Sequence, residues 1–321
     1  MGNTPPKVAI LILNWNDRRN TLETLESVRQ LQYLNHEVFL VDNGSTDGSV
    51  EVVSEQFPEV HLIVSPENLG APAGRNLGLE AILKRSDVDY ILILDNDVML
   101  EPRLLDKLVT AAEAQFDLAV VGPAIYYYSD PGRIWSAGVS IVFREVTAKK
   151  RARERLEWEE RGEGIDRVEC ITGCCMLVKR RVFESVGRFN PQYFMVGFET
   201  DFCYRAAGQG FASGVVRDAK VWHKVSASTR GGYTPGRAYY TGRSTILFLK
   251  AHGRPWHWIT TLAFVAASLP VAYLREWRRG NQRSVVMKCK GYLDGLLGRP
   301  VDPEVARYFR GSVRGSHVTD Q

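Results

Sequence analysis

The sequence predicts an α/β protein: a mixed, mainly parallel sheet with helices on both faces, extended at the C-terminus by a helical region. Three observations carry that expectation. Short apolar runs alternate with amphipathic stretches of helical length between residues 7 and 125, the pattern of repeated βαβ units. These runs are apolar almost throughout, as parallel strands covered on both faces are. Each ends on polar residues, and in open α/β sheets ligands collect outside the carboxyl ends of the strands.

In chain order, VAILILNWN (8–16) reads as the first strand, and TLETLESVRQLQ (21–32), with apolar residues at helical spacing, as the helix after it. HEVFLVDNGS (36–45), VHLIVSPEN (60–68), YILILDND (90–97) and LAVVGPAIYYY (118–128) are the next strands. A short polar helix, GRNLGLEAILKR (74–85) and PRLLDKLVTAAEAQ (102–115) connect them. From Arg144 to Glu163 both charges are densely mixed, and a solvated helix or loop is the expectation there. VECITGCCMLVKRRVFESVGRFN (168–190) is a strand running into a helix that closes at Gly187. Glu199 and Asp201 head a further helix, and AKVWHK (219–224) ends a strand.

Composition changes past about Ser226. A loop and a helix lead to WHWITTLAFVAASLPVAYL (256–274), which is uncharged from Trp258 to Leu274 and flanked by tryptophans before it and a basic segment behind it. That run reaches roughly 26 Å at about 1.5 Å per residue, short of a hydrocarbon core of about 30 Å, and Pro270 would kink it. Two readings stay open, a helix lying among the headgroups of an anionic leaflet and a helix packed on the catalytic domain. The organisation expected is an α/β domain over 1–225, with halves at 7–125 and 126–225, then a helical region over 226–321.

With 45% apolar and 24% charged residues in 321, the chain is not disordered. A net charge of +4 does not mark the whole molecule as a nucleic-acid binder. Five cysteines without a CxxC pair fit reduced thiols in the cytosol, with Cys174 and Cys175 as packing residues. The N-terminus lacks a basic segment followed by a long apolar run, so no signal peptide is expected.

The strand ends hold the chemistry. Asp95 and Asp97 share a face where the fourth strand runs out, and two carboxylates there either form a solvated turn or hold a hard divalent ion, Mg²⁺ or Mn²⁺. Asp42 ends the second strand, where its carboxylate can accept a hydrogen bond from a base ring N–H. Asn14, Asn16 and Asn43 are likewise polar at strand ends, while Asp47 caps the following helix. After the third strand come Asn68, a glycine-rich turn and Arg75 at a helix start, a place suited to a diphosphate.

NWN, VDNGSTDGS, NLGAPAGRN, LDNDV, ITGCCMLVKRRVFESVGRFN, FETDFCYRAAGQG and VWH, in this order, resemble the family 2 inverting glycosyltransferases of GT-A fold, particularly rhamnosyltransferase-like members, over about residues 7–250. The resemblance implies a nucleotide diphosphate sugar as donor and a glycan or lipid-linked acceptor. It assigns Asn14, Asn16, Asp42, Asn68, Arg75, Asp95, Asn96 and Arg243 to the donor, with Asp42 on the base and Asp95 near the ribose. Asp97, His223 and Asp95 fall to the metal, and Thr172 and Gly173 to the acceptor side. Ser244 departs from the family's Arg-Asn pattern beside Arg243.

Inversion needs a carboxylate opposite the leaving diphosphate to take the acceptor's proton. Family members often read Glu-Asp-x-Asp where this chain reads Phe198-Glu199-Thr200-Asp201, so Glu199 is the expected base and Asp201 a positioning carboxylate. Arg205 has two readings, a helix-surface ion pair or a diphosphate contact. A non-catalytic membrane-docked module and a sugar-phosphate nucleotidyltransferase are the rival functions. The latter lacks its basic glycine-rich loop, since NWNDRRN stands after the first strand. The expected location is cytoplasmic, peripheral on the membrane's inner face.

Overall fold

The computed structural model describes residues 5–144, 149–150, 158, 161–225, 233–302 and 304–306. Strand β1 (Val8–Asn14), helix α1 (Arg18–Arg29), β2 (His36–Asp42), α2 (Ser49–Gln56), β3 (His61–Val64), α3 (Ala71–Leu83) and β4 (Tyr90–Asp95) follow the expected order. A short β5 (Val98–Leu100) precedes α4 (Leu104–Ala114) and β6 (Leu118–Tyr127). Next come β7 (Ile134–Ser136), β8 (Val139–Ser140), β9 (Lys149–Lys150), β10 (Ile165–Val168) and β11 (Cys175–Lys179), which runs into α5 (Arg180–Val186). A 3-10 turn at Pro191–Tyr193 leads to α6 (Phe198–Gly208), β12 (Ala212–His223), α7 (Pro235–His252), α8 (Pro255–Trp277) and α9 (Gln282–Leu297). Most of the charged stretch after Arg144 lies outside the described residues.

The main sheet runs β10-β12-β6-β11-β4-β1-β2-β3, with β5 added to β12 and β7 to β6. β4, β1, β2 and β3 are parallel, and β11 lies antiparallel between β4 and β6. That reversal matters for the site. Because Cys175 pairs with Leu94, the loop before β11 lands beside Asp95 at the carboxyl end of β4. β5 pairs antiparallel with β12 and sets His223 opposite Val98, next to Asp97.

β1 explains why the strands read as continuous apolar runs. Ala9 and Leu11 enter one core cluster with Leu79 and Ile82 of α3, while Val8, Ile10 and Ile12 enter the other with α1 and α4. Burying each larger side chain contributes about 1.5–3 kcal/mol, so neither face tolerates a polar residue before the strand ends. α3 lies flush on the sheet because Gly74 and Gly78 face it, where a Cβ would come within 2.7 Å of Leu13 and 2.2 Å of Leu11. This close seating brings Arg75 to the sheet edge.

The C-terminal helices form a layer tied to the catalytic sheet. α7 and α9 run side by side in the same direction: Asn281 Nδ2 donates to the Tyr233 carbonyl near their starts, and Lys250 Nζ to the Gly295 carbonyl near their ends. Gly242 and Gly291 make the approach possible, since a Cβ on Gly291 would stand 2.0 Å from the Tyr239 carbonyl oxygen. Tyr239, Tyr240 and Met287 pack with Trp15 of the β1–α1 loop and with Phe194, whose ring stacks on Tyr240 at 4.6 Å.

α8 returns along this layer from the end of α7 to the start of α9. At 23 residues it is longer than the apolar run alone, and Pro270 lies inside it without ending it. Only 6% of its most apolar window is buried, with Ile259, Leu262, Val271, Leu274 and Trp277 exposed. α8 thus leaves most of its apolar side chains uncovered, while its first turns rest on the catalytic domain: the His257 ring stacks on Phe143 with 3.7 Å between centres, and Arg144 lies over the Phe264 ring.

Candidate active site

Asp95, Asn96 and Asp97 leave the end of β4 in three directions. Asp95 Oδ1 accepts from Arg75 Nη2 at 2.5 Å, and the Arg75 guanidinium lies 5.1 Å from the Phe198 ring centre. Asn96 turns inward, donating to Asn14 Oδ1 at 3.1 Å and to Thr21 Oγ1 at 2.9 Å. Asp97 Oδ1 lies 3.0 Å from His223 Nε2. Among the described residues, two buried nitrogens here, Arg75 Nε and His223 Nδ1, have no hydrogen-bond partner.

The electrostatics follow from burial among like and unlike charges. Desolvation raises the Asp95 pKa; Arg75 opposes this and Asp97 adds to it. Burial works against a charged His223, but the Cys174 sulfur and the Asp97 carboxylate outweigh it and push its pKa up to about 11. Cys174 and Cys175 both belong to the buried core, as expected. Cys174 Sγ also stands beside Asp95 and His223: one donor atom from each lies within 4.8 Å of the others.

The first two strand ends make a connected turn. Asp42, only 1% exposed, accepts from Asn14 Nδ2 and from the Ser45 backbone N–H, each at 2.8 Å. Asn16 is exposed and left-handed (φ 50°), and its Oδ1 accepts from the Thr46 N–H at 2.7 Å. Asn68 Oδ1 accepts from Asn43 Nδ2 at 2.9 Å and from the Gly70 N–H at 2.8 Å, fixing the start of α3.

Across the cleft edge, Glu199 and Asp201 stand in the first turn of α6 and differ sharply in surroundings. Glu199 lies against Gly173, where a Cβ would come within 2.9 Å of its Oε1. Desolvation raises its pKa, against the pull of Arg75. Asp201, 2% exposed, is held by His252 Nε2 at 2.9 Å, Arg205 Nε at 2.9 Å and the Tyr193 hydroxyl at 3.4 Å. Burial would raise its pKa, yet these partners bring it below the ordinary value. Arg205 also donates to the Val186 and Arg188 carbonyls, so of its two readings the ion pair is the one present. Thr172 Oγ1 is buried without a partner in the loop before β11.

The structure thus gathers Asn14, Asp42, Asn96, Asp95, Asp97, Arg75 and His223 along one sheet edge, with Glu199, Thr172 and Gly173 beside it. Arg243 stands apart: it faces α9, donating to the Arg299 carbonyl at 2.7 Å. Thr21, Cys174 and His252 join the site or its support without any signal in their local sequence.

A family model described as glycosyl transferase family 2 matches residues 9–187. The N-acetylglucosaminyl-diphospho-decaprenol L-rhamnosyltransferase of Mycobacterium tuberculosis (strain ATCC 25618 / H37Rv) is 28% identical over 242 residues, covering 68% of this chain and 76% of that protein. The O-antigen biosynthesis protein RfbC of Myxococcus xanthus is 25% identical over 266 residues, 78% of this chain but 19% of the much longer relative. Among solved structures, GalNAc-T7 with UDP, GalNAc and Mn²⁺ superposes with a TM-score of 0.60 at 15% identity, covering 77% of this chain and 48% of that one. The mannosyltransferase PcManGT from Pyrobaculum calidifontis, with GDP-Man and Mn²⁺, gives a TM-score of 0.55 at 16% identity, covering 92% and 88%. With the model spanning more than half of its residues, this chain belongs to glycosyl transferase family 2 and is a rhamnosyltransferase-like glycosyltransferase of GT-A fold.

Proposed function

We propose that this enzyme moves one sugar from a nucleotide diphosphate sugar to a hydroxyl of a glycan or lipid-linked acceptor, with inversion, at a divalent ion held by Asp97, His223 and Asp95. The observation that carries the reading is the 3.0 Å approach of Asp97 and His223 beside the Arg75–Asp95 pair. Two carboxylates, an imidazole with an unpartnered buried nitrogen and a guanidinium suit an ion with a diphosphate on it. The Mn²⁺ in both solved relatives supports Mn²⁺ or Mg²⁺, and the name of the mycobacterial relative supports a lipid-linked acceptor.

When bound, the ion neutralises charge gathering on the leaving diphosphate. Arg75 adds a fixed positive charge there, held over Phe198 and paired with Asp95. Glu199 takes the acceptor's proton. Its raised pKa makes it a better base than an ordinary carboxylate, whereas the hydrogen bonds and the Arg205 charge that lower the Asp201 pKa make that group a poor one. Thr172 and Gly173 border the acceptor. Asn14, Asn16, Asp42, Asn96 and Asn68 shape the base and ribose pocket, with Asp42 on the base and Asp95 near the ribose.

The functional halves, 7–125 for the donor and 126–225 for the acceptor, share one sheet, and 226–321 supplies the membrane platform. The enzyme works in the cytoplasm, with α8 lying in the membrane's inner face. At roughly 35 Å, α8 is long enough to cross a bilayer, but both its ends are tied to α7 and α9, which pack on the catalytic body. A crossing helix would carry its two ends to opposite sides. Its exposed apolar residues, the parallel stripe Val286, Leu293, Leu296 and Leu297 on α9, and nearby Arg275, Arg278 and Arg279 suit an anionic leaflet.

Screening nucleotide sugars with Mn²⁺ for release of free nucleotide diphosphate, with and without a lipid-linked acceptor, tests the activity. Full transfer by Asp97→Ala in chelator-treated buffer would overturn the ion site, and a product of retained anomeric configuration would overturn inversion.

A further inference from the structure

One group at the ion site has no part in this scheme. Cys174 closes the loop before β11, and its carbonyl accepts from the Asp95 N–H at 3.0 Å, so the two residues are fixed to one another through the backbone. Its thiol is buried. A Cys174 sulfur, an Asp95 carboxylate oxygen and a His223 ring nitrogen lie within 4.8 Å of one another. For three atoms so disposed, some point lies within about 2.8 Å of all three, and contraction by roughly half an ångström reaches ordinary metal–sulfur and metal–nitrogen lengths. A second observation concerns the imidazole: His223, 8% exposed, has one ring nitrogen on Asp97, while its Nδ1 is buried and has no hydrogen-bond partner among the described residues.

We propose that Cys174 is a protein ligand of this ion, and that its sulfur makes the site prefer Mn²⁺, Co²⁺ or Zn²⁺ over Mg²⁺. The inference rests on reading Asp95, Asp97 and His223 as the ion site. Sulfur favours borderline and soft ions, while Mg²⁺ demands oxygen ligands and gives up water reluctantly. When a dication binds, the Cys174 S–H bond breaks and a sulfur–metal bond forms, and the thiol proton passes to solvent together with the proton of the His223 nitrogen that takes the ion.

Co²⁺ titrated into the full chain reports the sulfur directly through near-ultraviolet thiolate-to-cobalt charge transfer. The wild type should develop that band at one equivalent. Cys174→Ser should lose the band and bind Co²⁺ and Zn²⁺ about tenfold or more weakly, with Mg²⁺ binding changed by less than about threefold. Cys175→Ser should keep the band, and Asp97→Ala should weaken binding of all three ions. Melting curves of the metal-free variants report folding, and the wild-type spectrum stands without any variant. Co²⁺ binding without the band, or a band that survives in a folded Cys174→Ser, would overturn the cysteine ligand and leave the ion site in place. No binding of Co²⁺ or Mn²⁺ at all would overturn both.

Discussion

His252 Nε2 lies 2.9 Å from Asp201 Oδ1, joining the last turn of α7 to the first turn of α6, two residues past Glu199. The helical layer is thereby bonded to the helix that presents the base. Asp201 also takes Arg205 at 2.9 Å, so one buried carboxylate serves both an imidazole and a guanidinium.

Removing the Asp201 charge should cost stability before it costs chemistry. Asp201→Asn leaves Arg205 without its buried counter-ion and should destabilise the fold by about 3 kcal/mol at neutral pH. The folded pKa of Asp201 is depressed, so its stabilisation is complete above the ordinary aspartate value of 3.8 and is lost as pH falls through the folded value. Denaturant melts of wild type and variant should therefore draw together only below pH 3.8, as the folded value is passed. An inactive Asp201→Asn of normal stability would instead make Asp201 the base.

Glu199 should show the opposite behaviour. Glu199→Gln should lower kcat by about 10²–10⁴ with little change in donor binding. The acid limb of wild-type kcat/KM should fall above the ordinary glutamate value of 4.5, because desolvation keeps the proton on Glu199. A limb at or below that value, or unaltered turnover in the glutamine variant, would remove Glu199 from the role.

Gly173 tests the geometry around that carboxylate. A Cβ there would meet Glu199 Oε1 at 2.9 Å and Cγ at 3.0 Å, so Gly173→Ala must displace the base by a few tenths of an ångström or more. We expect kcat to drop about tenfold or more, with stability changed by less than about 1 kcal/mol, as measured by single-turnover kinetics and calorimetry.

Charges on the exposed face of α8 should detach the enzyme from lipid without harming the fold. Ile259 and Val271 are 68% and 67% exposed, so glutamates there cost no packing. The double variant Ile259→Glu/Val271→Glu should fail to sediment with anionic vesicles that carry the wild type down at low salt, while donor hydrolysis in solution stays unchanged. Equal sedimentation of both proteins would exclude α8 as the contact.

What could be read in the sequence was what repeats locally. β1, β2, β4 and β6 announced themselves because burial on both faces demands an unbroken apolar run, and polar residues at their ends marked the edge where ligands gather. β5, three residues long, and β10 with its charged residues carry no such pattern, since their existence depends on pairing with the distant β12. The same holds for side chains. Asp95 and Asp97 stand out as a pair, but Cys174 reaches them only because β11 inserts antiparallel beside β4, and His252 reaches Asp201 across 51 residues. Arg243 was chosen by sequence position alone, and helix packing turned it towards α9.

The cluster of Tyr239, Tyr240 and Met287 on Trp15 and Phe194 has a practical consequence for dissecting this enzyme. A fragment ending at residue 225, where composition changes, would strip Trp15 and Phe194 of their cover and Asp201 of His252, next to the donor turn and the base. Such a fragment should be protease-sensitive and inactive towards even a soluble acceptor, so lost membrane attachment could not be inferred from its failure. Point substitutions on α8, which leave that cover in place, separate anchoring from catalysis where truncation cannot.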